Sequence, residues 1–228
     1  SVDNLAYNAA DNLLYLAAGN FMVILDAADL TERSRLKIEF PDDSDPNDIE
    51  LSRGIIGIAA NPNDPFVYAA CGPQGIAIVD VSDPDNPAIE STLAETSPDD
   101  PIYASAVDYD PAAQRLYVAD VFHGLRCINN VNDPGTNPSQ DWDYEQRTDW
   151  QDEDDEESGG HINVHVKETG SSTFAFVLDQ FYGLRIFDVT GGNEPAGPEA
   201  SFDMRSKWYW GQYSEVVDVV ADGGSEHA

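Results

Sequence analysis

The side chains best suited to site chemistry are two histidines and one aspartate. His161 and His165 lie four residues apart in a segment of alternating apolar residues, and Asp108 follows a similar alternating run. Alternation places both histidines on one face of a strand. Four residues along a strand span about 13 Å, however, which is too far for both to hold one metal directly. His161, His165 and Asp108 are therefore weak candidates for a metal or ligand site.

Two dense acidic groups are the next candidates. Asp42, Asp43, Asp45 and Asp48 form the first group, and the run 152–157 forms the second. Neither group has the glycine at the sixth position of a D-x-D-x-D-G calcium loop. Solvated loops are the simpler interpretation, although Na⁺, K⁺ or Ca²⁺ could bind there. The sequence contains no nucleophile elbow, zinc motif, P-loop or dinucleotide fingerprint, so no catalytic residue and no cofactor is predicted.

Aromatic residues and cysteines offer weaker signals. Trp208, Tyr209 and Trp210 form the densest aromatic stretch, which could bind a protein or saccharide partner or pack inside the fold. Cys71 and Cys127 are the only cysteines. We expect two unpaired, partly buried thiols, because a disulfide needs Cα atoms within about 7 Å of each other.

The charge balance is extreme. The 228 residues carry 43 Asp and Glu against 11 Lys and Arg, a formal net charge of −32, yet 41% of the residues are hydrophobic. That hydrophobic content excludes general disorder, and nucleic acid is not expected as a partner because its binding needs basic patches. Molar salt shortens the Debye length to about 3 Å and screens such self-repulsion. The composition favours a salt-adapted protein over an acidic protein that binds calcium or basic partners.

Location is predicted only indirectly. No apolar run approaches the roughly 18 residues of a membrane span. The sequence begins at Ser1 rather than Met, so we expect a processed or excised segment from which an export signal could have been removed. An extracellular or cell-surface protein is the expectation, and the cytoplasm of a salt-accumulating halophile is the alternative.

A repeat organises the chain. Four segments share an apolar strand, a short turn and a second apolar strand: LLYLAAGNFMVILD from Leu13, FVYAACGPQGIAIVD from Phe66, RLYVADVFHGLRCIN from Arg115 and FAFVLDQFYGLRIFD from Phe174. Their closing residues are Asp26, Asp80, Asn129 and Asp188, at spacings of 54, 49 and 59 residues. A residue that recurs once per repeat fits a structural role better than catalysis. We expect these side chains to accept hydrogen bonds from the following turns.

Each unit also has an alternating strand before the pair and another after it, and four strands make one β-propeller blade. The sequence therefore predicts an all-β propeller of four-stranded antiparallel blades. The approximate blade boundaries are 1–50, 51–98, 101–150 and 161–205. The range 131–160 reads as a long acidic insertion. The range 213–222 resembles an earlier first strand and reads as the start of a fifth blade.

The segments GIAIVDVSDPDNP and GLRIFDVTGGNEP resemble the LVIVD repeat, a blade motif similar to the YVTN repeat. This resemblance implies a propeller of bacterial or archaeal surface proteins, usually without an assigned enzymatic activity. With the acidity, it points to a halophilic archaeon and to further blades in the same parent chain.

Two functions follow from these patterns. The favoured one is a non-enzymatic interaction or scaffold module that binds a protein or a cell-surface saccharide. The alternative is a hydrolase, lyase or metal-binding propeller with a site at the central channel. The alternative predicts that acids or histidines from different blades converge at the axis, where first strands lie.

Overall fold

The computed structural model describes residues 4–38, 54–97, 100–121, 123–132, 138–144, 161–179 and 183–202. These residues form four antiparallel sheets, each with its four strands in sequence order. The strands of blade 1 are β1 (Asn4–Asn8), β2 (Leu13–Ala18), β3 (Phe21–Asp26) and β4 (Glu32–Lys37). The strands of blade 2 are β5 (Gly57–Ala60), β6 (Phe66–Ala70), β7 (Ile76–Asp80) and β8 (Ala88–Leu93).

A two-stranded ribbon of β9 (Glu95–Ser97) and β10 (Asp100–Pro101) follows blade 2. The strands of blade 3 are β11 (Ala104–Asp110), β12 (Arg115–Asp120), β13 (Gly124–Asn129) and β14 (Ser139–Tyr144). The strands of blade 4 are β15 (His161–Thr169), β16 (Ser172–Asp179), β17 (Gly183–Asp188) and β18 (Ala200–Phe202). A single 3-10 turn, Thr190–Gly192, separates β17 from β18.

The hydrophobic core lies between the blades rather than within them. Three clusters fill the spaces between consecutive blades. Strand β6 of blade 2 is buried at every position, with Val67 and Ala69 facing blade 1 and Tyr68 and Ala70 facing blade 3. A strand packed on both sides loses the polar alternation of a one-sided sheet. This explains why FVYAA is apolar throughout.

The first strands of successive blades lie side by side, so the chain advances blade by blade around one axis. Their approach is close at Gly57 in β5, where an added Cβ would stand 2.9 Å from Ala106 Cα in β11. Gly75 is also required, because its φ is +74° and a Cβ there would overlap the backbone oxygen of Leu93. The glycine before β7 therefore sets the blade 2 hairpin.

The predicted fold class, an all-β propeller of four-stranded antiparallel blades, is confirmed. The range 131–160, read from the sequence as a long acidic insertion, contains the fourth strand of blade 3, β14. Trp142 explains the strand, since it pairs with Cys127 and packs in the core between blades 3 and 4. The predicted opening strand of a fifth blade, 213–222, lies outside the described residues. Among the residues described, no helix has the length and apolarity needed to cross a membrane.

Candidate functional site

Asp108 and His165, predicted separately from the sequence, meet at the seam between blades 3 and 4. Asp108 lies on β11 and His165 on β15, and His165 Nδ1 stands 2.9 Å from Asp108 Oδ2. The same oxygen accepts a hydrogen bond from the Val166 backbone N–H at 2.6 Å, and Asp108 Oδ1 accepts one from the Tyr109 N–H at 2.8 Å. Asp108 thus ties the first strand of one blade to the first strand of the next.

This pair is half-buried and lies on the first strands of its two blades, which contact each other. An imidazole beside a carboxylate can relay a proton or orient a ligand. Within the described ranges, no three His, Cys, Asp or Glu side chains gather closely enough to hold a metal ion. The side chain of His161, the other histidine candidate, lies outside the described part of the molecule. The neighbouring first strand β5 carries only Gly57, Ile58, Ala59 and Ala60.

A second polar cluster, which the sequence analysis did not identify, is built around a fully buried ion pair. Arg126 Nε donates to Asp120 Oδ2 at 2.8 Å, and neither side chain has solvent exposure. Asp120 also accepts the backbone N–H groups of Tyr103 and His123, and Arg126 Nη1 donates to Gln140 Oε1. The cluster thereby joins the hairpin of blade 3 to the chain entering that blade and to β14.

The sequence carries a signal for this cluster. The segment D-V-F-H-G-L-R, 120–126, recurs in blade 4 as D-Q-F-Y-G-L-R, 179–185. Arg185 is buried, like Arg126. Asp120 ends β12 and pairs with Gly124 at the start of β13. Arg126, two residues further along β13, can therefore reach back across the hairpin to the aspartate. Repetition of the two charges together could have predicted the buried ion pair.

A row of buried Asx residues ends the first strands, and sequence reasoning missed it as well. Asn8, Asn61 and Asp110 each accept the backbone N–H of the residue two positions on, at 2.9 Å. Asn8 Nδ2 also donates to Asn61 O across the seam, at 3.2 Å. The signal is a constant spacing, because each Asx precedes a buried tyrosine by seven residues. Those tyrosines are Tyr15, Tyr68 and Tyr117.

The closing residues of the third strands lie in turns. Asp26, Asp80 and Asp188 each accept the N–H of the residue two positions on, at 2.8 to 3.0 Å. Asn129 differs: its Oδ1 accepts the Ser139 hydroxyl at 2.6 Å. In blade 3, the residue that ends the third strand is therefore bonded to the fourth strand, β14, rather than to the turn that follows it.

Both cysteines are buried and free. Cys71 follows β6 and Cys127 lies within β13, in different inter-blade cores. Burial raises the thiol pKa of each to about 12. A thiol with so high a pKa is neutral at physiological pH and therefore a poor nucleophile. Trp208, Tyr209, Trp210 and both acidic groups lie outside the described residues.

Comparison with known proteins supports the fold. The family model for the LVIVD repeat matches residues 63–94, which cover most of blade 2. No curated protein matches the chain. Among solved structures, the Cps50 (Swd1) β-propeller domain of Myceliophteria thermophila aligns with a TM-score of 0.62 and 15% sequence identity. The alignment covers 89% of this chain but only 58% of that one.

The four blades, the LVIVD match and this structural similarity define the chain as a propeller protein. At 15% identity the similarity concerns the fold alone, and nothing about the activity or partners of the Cps50 domain transfers to this chain.

Proposed function

We propose that this propeller is a non-enzymatic interaction or scaffold module of a salt-adapted, exported protein. The supporting observation is the set of hydrogen bonds that the Asp108 carboxylate makes within the fold. A carboxylate near the axis, where a propeller enzyme would place a catalytic group, is occupied by two backbone amides and His165. The bonds to Val166 and His165 join blades 3 and 4, and we assign partner binding to the loops and the channel mouth.

The sharpest test separates a structural Asp108 from a ligand-binding one. Asp108→Asn keeps the shape but weakens the bonds to the Val166 amide and to His165. We expect a lower melting temperature in molar KCl and no heat of binding for Zn²⁺, Mn²⁺ or Ca²⁺ in either protein. Glu168→Gln, at an exposed position of the same strand β15, is the matched control and should melt like the wild type. Micromolar metal binding that disappears in Asp108→Asn would overturn the proposal.

Salt adaptation is a second part of the proposal, supported by the net charge of −32. Lowering KCl from molar to tens of millimolar lengthens the Debye length several-fold and restores the repulsion among carboxylates. Far-ultraviolet circular dichroism should report loss of strand structure over that range. Equal stability at both ends would refute salt adaptation while leaving the structural role of Asp108 unaffected.

Export to the cell surface is proposed from the acidic composition and the likeness to surface-protein repeats. Protease treatment of intact producing cells should digest the protein while a cytoplasmic marker survives. Protection of the protein until the cells are lysed would place it inside a salt-accumulating cell instead.

A channel-site propeller is the second candidate, because Asp108 and His165 come from different blades and lie 2.9 Å apart. It predicts that His165→Gln abolishes binding of a small ligand or metal while the fold stays intact. The metal titrations on Asp108→Asn, extended to His165→Gln, decide between the two functions.

A further inference from the structure

The buried Asx residues that end the first strands differ in chemistry. Asn8 and Asn61 are amides, whereas Asp110 has a carboxylate and is only 1% exposed. Asp110 Oδ1 accepts the backbone N–H groups of Ala112 and Ala113, at 2.9 and 3.2 Å. Asp110 Oδ2 is also buried, but it has no hydrogen-bond partner among the described residues. An oxygen of a buried carboxylate that lacks a partner destabilises the fold unless something else compensates it.

The positive side chain of this hairpin does not supply that partner. Arg115 pairs with Asp110 in the strand register. Its Nε is 3.2 Å from Asp141 Oδ2, however, and its Nη1 donates to the Ala113 carbonyl at 3.3 Å. Asp110 Oδ2 therefore has no ion pair in the described part of the chain.

Blade 2 shows how the same position is satisfied elsewhere in the fold. Asn61 Nδ2 donates to Tyr68 Oη at 3.3 Å. Tyr109 of blade 3 packs on Tyr68, with ring centroids 5.1 Å apart, and its hydroxyl hydrogen-bonds with Asn61 and Tyr68. A hydroxyl from the following blade thus completes the polar network between blades 2 and 3.

The other two seams between described blades lack that hydroxyl. By strand register, Ala60 and Val166 occupy the position of Tyr109, and both pack against the preceding blade. Each of these seams has a buried polar atom without a partner among the described residues: Tyr15 Oη between blades 1 and 2, and Asp110 Oδ2 between blades 3 and 4. Alanine and valine are shorter than tyrosine, so a small guest can take the place of the hydroxyl.

Two oxygens flank this place between blades 3 and 4. Asp110 faces blade 4, because it lies two residues after Asp108, whose carboxylate reaches the Val166 N–H. Tyr117 donates its hydroxyl proton to Val189 O at 3.4 Å, which leaves the lone pairs of Tyr117 Oη. Burial is the main cause of the raised pKa of Tyr117, and the charge of Asp110 adds to it, as expected for neighbouring groups. Blade 2 has an N–H group directed at an oxygen here, whereas blade 3 has two oxygens, and a cation is attracted to both.

We infer that Asp110 Oδ2 and Tyr117 Oη bind a monovalent metal cation, Na⁺ or K⁺, in the seam between blades 3 and 4. Oxygen donors suit hard cations, and one carboxylate balances one positive charge. Ca²⁺ takes about 6–8 oxygen ligands, and within the described ranges no three acidic, histidine or cysteine side chains gather to hold such an ion. Salt would then stabilise the protein in two ways: by screening, which depends on ionic strength, and by occupancy of this site, which depends on the identity of the cation.

The first test separates cation identity from ionic strength. Melting temperatures are measured at the same molar concentration of NaCl, KCl and tetramethylammonium chloride, whose cation is too large for the site. The wild type should melt at a higher temperature in NaCl or KCl, because a cation that binds only the folded state stabilises it. Equal melting temperatures in the three salts would overturn the inference, while the salt adaptation proposed above would stand.

Three variants assign the effect to this site. Asp110→Asn should fold, because Asn61 occupies the equivalent position of blade 2, and it should lose most of the difference between the metal cations and tetramethylammonium. Tyr117→Phe should lose part of that difference, and blade 4 already has Phe176 at this position. Glu90→Gln, at an exposed position of β8, removes one charge elsewhere and should keep the full difference. A difference that persists in Asp110→Asn would contradict the site.

The second test locates the ion. Rb⁺ replaces Na⁺ or K⁺ in crystals of the wild type and of Asp110→Asn, and its anomalous scattering marks its position. A peak in contact with Asp110 Oδ2 should appear in the wild type and not in the variant. Density for a water molecule alone, unchanged by Rb⁺, would mean that water takes the place of the hydroxyl and that the inference is wrong.

Discussion

Arg126 and Asp120 form a fully buried ion pair, with Arg126 Nε 2.8 Å from Asp120 Oδ2. Removing one partner leaves an uncompensated charge in the core, which costs about 3–5 kcal/mol. Arg126→Leu should lower the free energy of unfolding by that amount in urea titrations at molar KCl. Combining it with Asp120→Asn should recover part of the loss, because the orphaned carboxylate is gone. A single variant as stable as the wild type would contradict this account.

The close approach of first strands gives a second prediction. Gly57→Ala would place a Cβ 2.9 Å from Ala106 Cα, and the backbone must move to accept it. Overpacking of this kind costs about 1–3 kcal/mol. Gly197→Ala is the matched control, since its nearest neighbour would be Tyr144 Oη at 3.8 Å. Gly57→Ala should melt at a lower temperature than Gly197→Ala in thermal unfolding experiments. Equal melting temperatures would mean that the backbone between blades 2 and 3 can move to accept the extra methyl group.

Buried tyrosines predict an alkaline limit to stability. Burial raises the pKa of Tyr15 and Tyr109 from 10.0 to about 12, and it raises the pKa of Tyr68 and Tyr117 as well. A tyrosine whose pKa is higher in the folded protein than in the unfolded chain stabilises the fold. This contribution is fully present below the pKa of the unfolded chain and is lost as pH rises from about 10 to about 12. Circular dichroism and tyrosinate absorbance should therefore change together over that range.

Tyr15→Phe isolates one of these contributions. Among the described residues, the Tyr15 hydroxyl has no hydrogen-bond partner, so its removal should cost little at neutral pH. The variant should lose less stability than the wild type between about pH 10 and 12. An unchanged alkaline profile would show that Tyr15 does not contribute to it.

Thiol reactivity gives a fourth prediction. Cys71 and Cys127 are buried and have a thiol pKa of about 12, so a disulfide reagent such as DTNB should not modify them in the folded protein. Two thiols per chain should react once the protein unfolds in denaturant. Leu30→Cys provides an exposed thiol as a positive control. Rapid reaction of the native wild type would show that the inter-blade cores open readily.

The repeat made the blades predictable, because strand alternation and turn residues are local signals. Burial on both sides of a blade is not local, since it depends on the blades before and after it. Arg126 illustrates the difficulty: a charge in mid-strand normally indicates an exposed position, and only its partner Asp120 makes burial tolerable. The contact between Asp108 and His165 joins separate blades. The sequence could therefore identify both residues as candidates but could not predict that they contact each other.

The placement of the cores between blades has a consequence for how the chain loses and gains structure. Each hydrophobic core is shared by two blades, so the stability of a blade depends on its neighbours, as in repeat proteins with nearest-neighbour interactions. Blades 2 and 3, covered on both sides, should exchange their amide hydrogens last. During synthesis, a blade leaving the ribosome would stay only loosely ordered until its successor emerged and packed against it.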